Sequence, residues 1–70
     1  MNFFANHFPA GQSAAYYEKN AAEHGAVAAR KVRDAARVPG TLLAACYCVG
    51  AREHARLAAR AALLALAVRS

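Results

Sequence analysis

Seventy residues allow one small domain, and a chain this short buries only about 60% of the surface that its unfolded form exposes. Hydrophobic residues make up 59% of it, but 21 of them are alanine and only 20 are larger, a balance that favours closely packed helices and excludes a disulfide scaffold, a collagen-like chain and a multidomain enzyme. Nine Lys and Arg against four Asp and Glu give a net charge of +5, which suits nucleic acid, an anionic membrane surface or an acidic protein face as partner without choosing among them.

Residues 1–12 read as an aromatic arm carrying Phe3, Phe4, His7 and Phe8, closed by Pro9 and Gly11. Met1 to Gly11 holds no Lys or Arg and no continuous apolar run, so it is not expected to act as a secretory leader. Residues 13–70 read as a helical hairpin domain. Ser13 is placed to cap a helix predicted over 14–37. Val38-Pro39-Gly40-Thr41 is the one strong break in the interior: proline disfavours helix at the residue before it, Gly40 accepts positive φ, and Thr41 can cap a second helix, predicted over 42–68. Its most apolar stretch, Ala61 to Val68, spans eight residues, against the roughly 20 that a membrane span needs, and a soluble, cytoplasmic protein is expected.

Shifting the sequence by 30 lays the first helix on the second with 11 identities in 25 positions, among them Tyr17 on Tyr47, Glu23-His24 on Glu53-His54 and Arg30 on Arg60. The fold class expected is all-α: an antiparallel hairpin of two long helices related by this internal repeat. At about 100° per residue, Ala14, Tyr17, Ala21, Gly25, Ala28, Val32 and Ala35 line the inner face of the first helix. Leu43, Tyr47, Ala51, His54, Ala58, Ala61, Ala65 and Val68 line that of the second. Folding at Pro39-Gly40 sets Tyr47 against Val32 and His54 against Gly25. Leu42, Leu63, Leu64 and Leu66 point elsewhere, so a homodimer forming a four-helix bundle is expected to cover them. The core assigned to the hairpin or its dimer is Tyr17, Val32, Leu43, Tyr47, His54, Leu57, Leu63, Leu64 and Leu66.

The candidate chemistry is sparse. Cys46 and Cys48 stand about 200° apart on a helix, lack zinc-site spacing, and read as buried or half-buried thiols in a reducing compartment. Glu and His are adjacent at 23–24 and 53–54 rather than in the Glu-x-x-His spacing of di-metal bundles; no metal or cofactor is expected, and an inward histidine should bond a tyrosine or a carboxylate. No phosphate loop, Ser-His-Asp set or zinc motif is present, and catalysis is not expected. Arg52, Arg56 and Arg60 step by four along one face of the second helix. They form either a solvated row, with Glu53 pairing Arg56 and Asp34 pairing Arg37, or contacts to a partner. The expectation is a small non-enzymatic inhibitor or adaptor, in the format that phages and mobile elements use to block a host transcription or defence factor. It would bind one protein partner through Arg52, Arg56, Arg60, Phe3, Phe4 and Phe8, although the aromatic arm has a second reading, in which it folds back over the C-terminal leucines and staples the bundle. Association with nucleic acid ranks second and a structural subunit of a helical assembly third; membrane binding is not expected.

Overall fold

Each helix begins where a hydroxyl satisfies a backbone N–H that the helix itself leaves unpaired. In the computed structural model, which describes residues 8–70, Ser13 Oγ accepts from the Tyr16 N–H at 3.1 Å and Thr41 Oγ1 from the Ala44 N–H at 3.0 Å. Helix α1 spans Ala14–Arg37 and helix α2 Leu42–Arg69. The two pack as a hairpin, with no strand among the described residues. The C-terminus of α2 is held by Ser70, whose N–H and hydroxyl both donate to the Leu66 carbonyl at 3.1 and 2.8 Å.

The turn between the helices satisfies its own polar groups. Gly40 adopts φ 74°, a left-handed conformation that side chains disfavour. The Thr41 hydroxyl and N–H then both donate to the Val38 carbonyl, at 2.6 and 3.3 Å. Val38 N–H turns back to the Ala35 carbonyl at 3.2 Å, closing the last turn of α1.

The core sits at the other end. Phe8 (6% exposed), Tyr17 (3%), Leu57, Ala61 (0%) and Ala65 form one buried cluster, with Ala14, Ala21 and Leu64 packed against it. Gly11, at φ 77°, turns the chain ahead of α1, and the Tyr17 hydroxyl donates to the Pro9 carbonyl at 2.5 Å. Phe8 thus folds back between the open ends of the helices and meets His24 edge-on, with ring centres 5.9 Å apart. Small residues make this possible, since alanines at 61 and 65 leave room for two aromatic rings.

The inner face of α1 is rotated from the predicted one. Val32, expected opposite Tyr47, is 57% exposed. Lys31 is half-buried in its place, and a Cβ built on Gly50 would lie 2.9 Å from Lys31 Cδ. Lys31 and Val32 flank the Ala28–Ala35 line on opposite sides, about 100° apart, and it is the Lys31 side that turns toward α2, where Gly50 leaves room for the lysine stem. The lysine stem lies across the glycine, an arrangement that leaves its ammonium within reach of water. Tyr17 and Leu57 are buried, and Tyr47, His54 and Leu64 are half-buried. Leu43, in the first turn of α2 and far from the core, is exposed, as are Leu63 and Leu66. Within the single hairpin, then, Val32, Leu43, Leu63 and Leu66 are not core.

Candidate partner-binding face

The face of α2 turned away from α1 combines apolar and cationic residues. Leu42, Ala45 and Val49 lie on it toward the turn, and Ala59, Leu63 and Leu66 toward the open end, with Arg52 and Arg56 between. All eight are exposed, Leu42 to 82%. Their spacing alternates strictly between three and four residues. At 3.6 residues per turn this keeps them on the side opposite Tyr47, His54, Ala61 and Ala65. Arg60, one turn beyond Arg56, stands exposed at the edge of the same face.

Charge pairing leaves these arginines available. The expected Glu53–Arg56 ion pair does not form; the ion pairs among the described residues are Asp34–Arg37 at 3.9 Å and Glu18–Arg69. In the second, Arg69 Nε donates to Glu18 Oε1 at 2.7 Å and Nη2 donates to the same oxygen, tying the end of α2 to the start of α1. Arg52, Arg56 and Arg60 have no ion pair within the described residues. Each presents a planar fork of donors suited to a carboxylate or a phosphate.

The aromatic arm divides. Phe3 and Phe4 lie outside the described residues. Phe8, read both as a partner contact and as a staple of the bundle, is enclosed by the hairpin core and serves the fold. The cysteines also differ from expectation. Cys46 and Cys48 are exposed thiols, because each lies on a flank of the outer face and neither points between the helices.

Where the helices cross nearest their midpoints, His24 and His54 meet. Their Nδ1 atoms are 2.9 Å apart and their ring centres 5.1 Å apart, with the planes inclined by 28°. The nitrogens therefore lie between the rings, and the contact is an edge-on hydrogen bond rather than a face-to-face stack. One Nδ1 must donate and the other accept, so the partner of His54 is the histidine 30 residues earlier and not a tyrosine or carboxylate. Among the described residues no group of three or more His, Cys, Asp or Glu converges as metal ligands would.

The seam of apolar residues around Arg52 and Arg56 escaped the reading of the sequence, although its three-and-four spacing was there to be counted. The arginines concealed it, because they interrupt a run whose apolar members are otherwise regular. No helix of the described residues is long and apolar enough to cross a membrane. Compared with protein-family models, curated proteins and solved structures, the chain matches none.

Proposed function

We propose that this chain is a small non-enzymatic protein-binding module, an inhibitor or adaptor that presents the outer face of α2 to one protein partner. The observation that carries this reading is the exposed row of Arg52, Arg56 and Arg60, without an ion pair among the described residues, set among exposed leucines. An exposed apolar patch in so small a protein is a surface awaiting cover, and arginine is the cation most enriched where proteins meet. The 30-residue repeat belongs to the same reading, while a homodimeric four-helix bundle, which would cover the same exposed leucines, is the rival occupant of the outer face of α2. A twofold relation between the helices would bring residues 30 apart together at one point, and His24 and His54 meet in that way.

The second reading is a nucleic-acid-associated protein, favoured by the net charge of +5 and the same exposed arginines. Affinity capture of the tagged chain from its source lysate, with and without nuclease, separates the two. One stoichiometric protein that survives nuclease, and is lost when Arg52, Arg56 and Arg60 are all replaced by Glu in a folded variant, supports the protein-binding module. Capture that disappears with nuclease gives first place to nucleic acid, whose phosphate contacts also weaken steeply with salt.

A further inference from the structure

We infer that the outer face of α2 is a helix-docking seam whose occupant is an amphipathic helix of a partner protein, apolar toward both ends and bearing two carboxylates at its middle. The inference rests on the protein-binding reading above and adds to it the chemistry of the partner. Between Leu42 and Leu66 the seam steps by three and four residues in strict alternation. That average of 3.5 keeps one side of a helix against a neighbouring helix along its whole length. The seam is about 36 Å long at 1.5 Å per residue, so a helix of similar length would cover it.

The arginines decide what kind of helix. In an antiparallel pair of two copies in full overlap, Leu42 would meet Leu66, Ala45 would meet Leu63, and Val49 would meet Ala59. The apolar ends match, but Arg52 then faces Arg56 of the other copy, twice. A parallel pair sets Arg52 on Arg52 and Arg56 on Arg56. Glu53, at the edge of the seam, brings one carboxylate per copy against two guanidinium groups. Either self-pairing therefore leaves excess positive charge at the centre of the contact, and like charges set against each other select against that pairing. A nucleic-acid backbone would satisfy the arginines and leave Leu42, Val49, Leu63 and Leu66 with nothing apolar to meet. A helix with carboxylates four residues apart, flanked by leucine-like residues, satisfies both parts. Each carboxylate can accept two parallel N–H donors from an arginine fork.

The test is fluorescence anisotropy of the full chain with two labelled synthetic helices. One carries leucine at every seam-facing position except two central glutamates opposite Arg52 and Arg56; the other carries lysines at those two places. The glutamate helix is expected to bind at least about tenfold more tightly than the lysine helix. The folded variant R52E/R56E is expected to reverse that order. Equal binding of the two helices, or no binding of the glutamate helix to the folded chain, overturns the seam while leaving protein binding through another face standing. A dimer in sedimentation that Leu63→Asp dissociates also overturns it, by making a second copy the occupant. Capture that is lost with nuclease strikes the protein-binding reading itself, whatever the helices do.

Discussion

Phe8→Ala removes the ring that closes the open end of the hairpin, and the size of the effect follows from its contacts. Burial of the ring contributes about 1.5–3 kcal/mol. Because the arm can let go of the helices, its release should take the place of a cavity and expose Leu57, Ala61 and Ala65 to water. The hydrogen bond from Tyr17 to the Pro9 carbonyl goes with it, at about 1 kcal/mol. The sum is about 2–4 kcal/mol, against a total stability of roughly 4–10 kcal/mol for a domain of this length. Each kcal/mol moves the melting midpoint of so small a domain by about 4–8 °C, so thermal unfolding followed by far-UV circular dichroism should show a fall of roughly 10–30 °C. Phe8→Leu keeps most of the volume and should lose less than about 1.5 kcal/mol. A Phe8→Ala variant within about 0.5 kcal/mol of the parent would refute the reasoning and return Phe8 to the list of partner contacts.

Gly25 lies within α1 with nothing within 4 Å of where a Cβ would stand; Gly25→Ala should therefore add about 1 kcal/mol, read as a higher denaturant midpoint at unchanged slope. Cys46 and Cys48 should both react with a thiol reagent in the native protein at the rate of accessible thiols, and mass spectrometry showing one or both protected would contradict their exposure.

Much of the hairpin was legible in the residues because its punctuation is strong. Ser13, Pro39, Gly40 and Thr41 each carry a backbone preference that needs no tertiary context, and the structure uses three of them in caps and turn as their chemistry dictates. The rotation of α1 was not legible. Val32 is more apolar than Lys31, and only the absence of a side chain at Gly50 explains why a lysine stem lies there. The histidine contact was half legible: the repeat placed His24 and His54 at one level, but adjacent positions on α1 differ by only one residue of rotation. The outer seam was obscured for a related reason. Hydrophobic pattern alone does not register a stripe whose central members are charged, and the spacing becomes visible only once the inner face is known.

The turn at Pro39 and Gly40 and the cluster around Phe8 lie at opposite ends of the molecule, which separates how the hairpin forms from where it is strong. A short connection lets the two helices meet first beside the turn, where closing the chain loses little entropy. The contacts there are thin, with Leu42 and Leu43 exposed and Lys31 laid over Gly50. The contacts that bury most apolar surface join residues as distant as Phe8 and Ala65. Amide exchange should therefore be slowest in Leu57 to Ala65 and faster in the first turns of α2, so that the covalently joined end of the hairpin is the one that opens more often.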